Sequence, residues 1–256
     1  MDLIVTTRRQ VLAQDEGGHA CWQVVERSEM LPAARTALLI CDVWDRHWSR
    51  GAAERVEAMV PRMNRVATAL RAQGVRIIHA PSDTLAFYEG TPARRRMQEL
   101  PRVPPPSPRD LPDPPLPVDA SDQGSDTGET EPYQAWTRQH PGLEIDHDRD
   151  GISDQGEEIY SFLAGQGIDT LLFMGVHTNM CVLGRSFGIK QMVRWGVRTL
   201  LIRDLTDAMY NPARPPYVSH AEGTRLVVEY IEKFWAPTIH SAELLGGARD
   251  VGAGDR

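Results

Sequence analysis

Two apolar runs of strand length, separated by one amphipathic stretch, constrain this chain more than any other feature. Thr36 to Asp42 reads TALLICD and ends on a carboxylate, while Val75 to Ala80 reads VRIIHA and is closed by Pro81. A continuous apolar run, without alternation, marks a strand buried on both faces, as in the centre of a parallel sheet. Between them, from Ala52 to Gln73, Val56, Met59, Val60, Met63, Val66, Ala67 and Leu70 recur at steps of three and four, and Gly74 supplies a stop. That spacing is one face of a helix. Strand, helix and strand make a right-handed crossover, so the class is α/β with a mostly parallel sheet.

The remaining chain extends this pattern. Leu3 to Thr7 and Cys21 to Val25, around Gly17-Gly18, predict an N-terminal β-hairpin within residues 1–30. Thr91-Pro92 reads as the cap and first position of an arginine-rich helix running to about Leu100. Residues 101–118 then hold nine of the chain's 19 prolines, and an acidic, polar stretch follows. Residues 101–140 are expected to form an extended, mobile insertion, either passive or docking a partner through its prolines. Beyond it come a short strand at Leu143 to Ile145, a helix capped by Ser153, and a strand from Thr170 to Gly175. A helix from Cys181 to about Trp195 follows, then a strand from Val197 to Ile202. A last helix carries Leu226, Val227, Tyr230, Ile231 and Phe234 on one face, Pro237 ends it, and the tail after Gly246 is expected to fray. One domain accommodates all 256 residues.

Charge and cysteine content narrow the function. A net charge of -7 argues against nucleic acid and anionic membranes as partners. No stretch approaches the ~18 apolar residues of a membrane helix and the opening has no signal-peptide core, so a cytoplasmic location is expected. Cys21, Cys41 and Cys181 are odd in number and far apart, which fits neither a disulfide framework nor a zinc motif. Lys190 and Lys233 are the only lysines.

Three strand ends carry polar groups, at Asp42, at His79 to Asp83 and at Gly175 to Cys181, and the C-terminal ends of parallel strands share one rim. Cys181, in LLFMGVHTNMCVLGR, opens a helical pattern after a tight loop. There the unpaired helix N–H groups and the helix dipole favour a thiolate and an oxyanion. The other reading is a small hydrophobe packed under a helix. Asp42 is either the base for that thiol or a carboxylate capping a strand end. Trp44 and Trp48 wall a pocket or fill the core, and His177 and Asn179 contact substrate or shape the turn. Asp45, His47, His79 and Asp83 are the groups that could hold zinc or iron if they converge. Arg203, Asp204 and Asp207 read as structural ion pairs.

The strand ending in Asp42, with GVHTNMC after a later strand, resembles the isochorismatase-like cysteine hydrolases, which include nicotinamidases and N-carbamoylsarcosine amidohydrolases. The likeness runs from Thr36 to Leu205. It implies a three-layer α/β/α Rossmann-like fold, a homodimer or larger homo-oligomer, and a small-molecule substrate. It implies that Asp42 accepts the proton of Cys181, that Cys181 forms a thioester, and that the N–H groups of His177 and Cys181 form an oxyanion hole beside a cis Val176–His177 bond. Nicotinamidases hold a metal through an Asp-x-His pair after their second strand. Asp45-x-His47 has that spacing after the first, so no metal or other cofactor is assigned.

The family also carries a lysine ahead of the helix that precedes the GVxTxxC strand. The corresponding stretch, DHDRDG at 146–151, has none. Lys190, nine residues along a continuous helix, would lie about 13 Å from Cys181. Arg149 is nearest by count and either supplies the positive charge or is a surface group. Arginine stabilises charge but shuttles protons poorly. The expected activity is hydrolysis of a C–N bond in a small amide or carbamoyl compound, with the vinyl-ether chemistry of isochorismatases as a variant. The alternative is a non-catalytic small-molecule-binding or regulatory protein that has lost the lysine.

Overall fold

The computed structural model describes residues 2–245; the tail expected to fray lies outside them. In chain order the elements are β1 (Asp2–Gln14), β2 (Ala20–Pro32), β3 (Thr36–Cys41), α1 (Arg50–Ala72), β4 (Arg76–Ala80), α2 (Pro92–Gln98), β5 (Gly151–Ile152) and α3 (Gly156–Gly165). There follow β6 (Thr170–Val176), α4 (Cys181–Gly184), α5 (Ile189–Arg194), β7 (Arg198–Asp207), α6 (His220–Phe234), β8 (Thr238–Ile239) and α7 (Ser241–Leu244). The strands form one sheet in the order β2-β1-β8-β7-β6-β3-β4-β5. All pairings from β8 to β5 are parallel, and the hairpin joins the edge antiparallel.

The apolar runs are buried on both faces as their composition demands. Leu38 and Ile40 of β3 pack with Val60, Met63 and Leu70 of α1, while Leu39 and Cys41 face the opposite layer with Phe162 of α3 and Val227 of α6. The result is a three-layer α/β/α arrangement. Ser49 caps α1, whose buried stripe is the one its spacing predicts.

Several boundaries differ from expectation. The hairpin strands are 13 residues each, because Leu3, Val5 and Leu31 join the main core and extend the pairing to Asp2↔Pro32. Leu143 to Ile145 is not a strand: the N–H groups of Leu143 and Glu144 go to the His140 carbonyl and the Asn64 side chain, and β5 lies later. Ser153 is not the cap of α3, which starts at Gly156; its hydroxyl donates to Glu158 and accepts from the Gln155 N–H. The helix expected from Cys181 to Trp195 is broken into α4 and α5 at Arg185–Gly188.

The proline-rich insertion is irregular, as its composition requires, but it is tied down along its length. Arg109 N–H donates to the Arg194 carbonyl, Asp113 pairs with Lys190, Asp119 N–H donates to the Pro215 carbonyl, and Asp126 accepts from Arg55. Its end crosses the C-terminal rim of the sheet, where Thr137 binds Asp45 and Gln139 meets His79.

Candidate active site

Gly175 brings the two halves of the site together. Its φ is 123°, and a Cβ there would stand 2.0 Å from the Cys41 carbonyl oxygen, so only glycine lets β6 pass this close to the end of β3. Beyond Gly175 the Val176–His177 bond is cis, and the N–H groups of Met180 and Val182 both donate to the His177 carbonyl. The N–H groups of His177 and Cys181 donate to no backbone carbonyl among the described residues.

Asp42, with φ at 48°, turns the chain at the end of β3 and is wholly buried. Its Oδ1 accepts the Ser82 N–H at 2.7 Å, its Oδ2 accepts Arg185 Nε at 3.2 Å, and the Cys181 thiol lies close enough to act on its charge. Arg185 is one helical turn after Cys181, its N–H bonded to the Cys181 carbonyl at 3.1 Å, so its side chain shares a face with the thiol. Its Nη2 also reaches Asp83 at 3.1 Å, and its charge acts on Cys181.

Burial pushes the Asp42 carboxyl above the ordinary carboxylate range, against the pull of Arg185. Burial and the Asp42 charge raise the Cys181 thiol to about 12. The expectation of a resting thiolate is therefore reversed. A four-residue α4 provides little dipole, and the thiol keeps its proton beside a basic carboxylate and a fixed cation.

Arg149 is not part of this constellation. Its guanidinium donates to the Arg71 carbonyl and lies beside Arg76, at the N-terminal end of β4, whereas Asp42 and Cys181 occupy the C-terminal rim. Lys190 is committed to Asp113, and Lys233 to Glu229. Asn179 does not point at the thiol; its amide is paired in both directions with the Met209 backbone.

The four metal candidates disperse. Asp45 binds Thr137, His47 Nδ1 accepts the Ser49 N–H, His79 is buried between Gln139 and Asp150, and Asp83 pairs with Arg185. Among the described residues no group of three or more such side chains is placed to hold a metal.

Trp44 is a wall, joined by a residue the sequence did not single out. Trp136 from the insertion stacks on it at 4.1 Å, and His47 lies beside the pair, near-parallel to both rings at 6.2 and 6.0 Å. His47 in turn meets Trp48 at 5.5 Å and His177 edge-on at 4.9 Å. Burial lowers His47 to about 4 and His177 to about 3, so both rings are neutral at pH 7. His177 Nε2 is buried with no hydrogen-bond partner among the described residues. A cavity of about 70 Å³, reaching Asp42 and Val176, lies against this cluster. Of the expected structural ion pairs, Asp207 pairs with Arg55 and Asp204 with Arg62.

Residues 36–214 match the model of the Isochorismatase domain. The chain belongs to the isochorismatase family, a family of hydrolases. Among solved structures, this isochorismatase-family chain is similar to a cysteine hydrolase from Pseudomonas syringae pv. phaseolicola 1448A, with 16% identity, 83% of this chain and 92% of that chain covered, and a TM-score of 0.51. It is similar also to a putative isochorismatase from Burkholderia xenovorans LB400, with 20% identity, 83% and 88% covered, and a TM-score of 0.50. At such identities the likeness concerns the fold. No curated protein sequence matches the chain.

Arg185 was missed although it closes the family-like stretch. The signal was its position four residues after the cysteine, where a helical turn returns to the same face. Trp136 had no comparable signal, because it reaches the site through an irregular segment. No helix among the described residues is long and apolar enough to cross a membrane.

Proposed function

We propose that this family member is a cysteine-dependent hydrolase that cleaves the C–N bond of a small amide or carbamoyl compound through a thioester. The observation that carries the reading is the contact of Cys181, Asp42 and Arg185 at one strand rim. In the resting site the proton sits on sulfur. As the thiol attacks the carbonyl carbon, that proton passes to Asp42, whose raised basicity suits a general base. The oxyanion is received by the N–H groups of His177 and Cys181. Asp42 returns the proton to the leaving nitrogen as the tetrahedral adduct collapses to the thioester, then takes one from the water that hydrolyses it and passes it to the departing Cys181 sulfur, which restores the resting site.

Arg185 remains charged throughout and balances the thiolate and Asp42 in turn, a task for which a group that never loses its proton is well suited. A cation beside the cysteine weakens the case for a non-catalytic protein, which rested on the missing lysine. The cavity of about 70 Å³ is lined by the neutral His47 and by Trp44 together with Asp42, Asp45 and Glu57 against the single cation Arg46, which favours an uncharged carboxamide or ureido group over an anion.

The test is ammonia release from a panel of small primary amides and N-carbamoyl compounds, with intact-mass detection of an acyl-enzyme. Turnover by the wild type, its loss in Cys181→Ala, and an adduct that hydroxylamine removes are the expected results. Absence of both ammonia and adduct across the panel would overturn the reading.

A further inference from the structure

At the opposite end of the strands from Asp42 the sheet contains a gap. β8 has only two residues, and β1 pairs with it at a single position, Arg8↔Thr238. Beyond Arg8 the edge of β1 has no strand beside it, and β7 begins three residues before its first pairing with β8, at Leu201↔Thr238. A cleft of about 830 Å³ occupies the space between the hairpin and the start of β7.

Its lining is strongly basic, although the whole chain carries -7. Arg9 and Arg27 come from the hairpin, Arg109 from the insertion, Arg198 from β7 and Lys233 from α6; Glu29 is the one acid among the lining residues. Glu29 is committed to Arg198 and to the Thr7 hydroxyl, and Lys233 to Glu229. The guanidinium groups of Arg9, Arg27 and Arg109 form no ion pair among the described residues. Arg109 lies against Gly196, where a Cβ would stand 3.0 Å from its Nη2. Thr199, 3% exposed, lines the cleft with its Oγ1 lacking any hydrogen-bond partner. Trp22, which packs edge-on to Phe234 with Lys233 over its ring, is the exposed indole of the lining, whereas Trp235 is buried under Lys190 and Arg194.

Three guanidinium groups from separate elements, of which Arg27 alone acts on Glu29, bring more positive charge than that one acid balances, and an anion bound among them removes the cost. Each presents a fork that matches phosphate oxygens. A monoanion would leave net positive charge, whereas a phosphate monoester carries close to two charges and three acceptor oxygens. The Thr199 hydroxyl offers a further donor, and the exposed Trp22 indole offers a flat body a surface. The volume falls in the range of small-molecule sites. We propose that this cleft binds a small organic phosphate with an aromatic body, at a site separate from the Cys181 rim.

The probes are adenosine 5′-monophosphate, adenosine and inorganic phosphate, titrated into the full-length protein by calorimetry and tryptophan quenching. The monophosphate should bind saturably, adenosine much less, and affinity should be higher at about 20 mM than at about 300 mM salt. Arg9→Ala, Arg27→Ala and Arg109→Ala should each weaken binding about tenfold, the scale of one charge-assisted hydrogen bond. Thr199→Val should weaken it severalfold. Trp22→Ala should reduce binding of the nucleotide but not of phosphate. Because the three arginines are exposed, melting and Cys181 alkylation should be unchanged in those variants, and Arg109→Glu, also on the surface, should abolish binding.

Absence of saturable binding to about 10 mM monophosphate overturns the proposal. So does unchanged affinity in an Arg9→Ala, Arg109→Ala double variant. Dissociation of an oligomer by the arginine substitutions, seen by light scattering, would also overturn it, since the cleft would then be a contact between copies of the chain.

Discussion

Two buried carboxylates in this molecule each face an arginine, and the same pairing gives opposite results. Asp42 has its pKa raised, whereas Asp150 is held down at about 2. Burial pushes both upward, and Asp42 is the more deeply enclosed; the number and geometry of the donors that oppose burial differ as well. Asp150 takes Arg71 in a two-pronged contact at 3.0 and 2.7 Å, together with His79 at 3.1 Å and the Asp146 N–H at 2.9 Å. Asp42 takes a single prong of Arg185 at 3.2 Å and the Ser82 N–H, with the Cys181 thiol and the Ser82 hydroxyl close by. Saturation makes Asp150 an inert anion that locks α1, β4 and the end of the insertion together. Under-saturation leaves Asp42 basic, and a basic carboxylate beside a thiol is what proton transfer needs.

The largest expected effect breaks the basic member of the comparison. Asp42→Asn should lower turnover about a thousandfold or more, within the range for loss of a general base, while the protein stays folded. The same substitution should lower the pH midpoint of Cys181 alkylation by iodoacetamide, because the Asp42 charge is one of the causes that raise the thiol. Faster alkylation with lost turnover separates this account from one in which Cys181 is already a thiolate. Slower alkylation in Asp42→Asn would contradict it.

Removing the cation should come next. Arg185→Ala is expected to cost about a hundredfold in rate, the scale of one preorganised charge-stabilising group. Arg185 lowers the Asp42 pKa, and the active form requires ionised Asp42, so without Arg185 the acid limb of the pH–rate profile should move to higher pH. Arg149→Ala should leave both rate and profile unchanged.

How much of this was legible in the sequence follows from the kind of signal each feature emits. β3, α1, β4 and β6 were readable because burial on two faces or one helical stripe forces a periodicity. The split into α4 and α5 was not, since Gly184 and Gly188 permit a break that only packing selects; a Cβ at Gly188 would stand 2.9 Å from Leu183. Cys181 and Asp42 were legible as strand-end residues in a family-like motif. Counting along the chain points to Arg149, while the cation that meets Asp42 comes from the helical turn that begins at Cys181. Trp136, Gln139 and the ties of the insertion were invisible, because polar contacts of an irregular segment leave no repeat to read.

On the inert side of the comparison, Asp150→Asn should leave activity per folded molecule intact but destabilise the protein. Removing one partner of a buried ion pair costs about 3–5 kcal/mol, and for a domain of this size that corresponds to a melting temperature lower by roughly 10 °C. Arg71 and His79 would be left facing a neutral amide.

The smallest change is the most discriminating. Arg71→Lys keeps the charge but replaces the fork with a point donor, so Asp150 comes to resemble Asp42 in its donor geometry. Its pKa, followed by carboxyl carbon NMR, should rise from about 2 toward the ordinary value. The folded-state pKa of Asp150 is depressed, so its contribution to stability is complete above the unfolded value of about 3.9 and is lost as pH falls through the folded one. Raising the folded value narrows that window, and acid unfolding of Arg71→Lys should begin at higher pH than in the wild type. At neutral pH the loss should be about 1–2 kcal/mol, the scale of one hydrogen bond to a charged group, with turnover unaffected. An unmoved Asp150 pKa would mean that donor geometry does not set carboxylate basicity in this fold, and the contrast with Asp42 would need another cause.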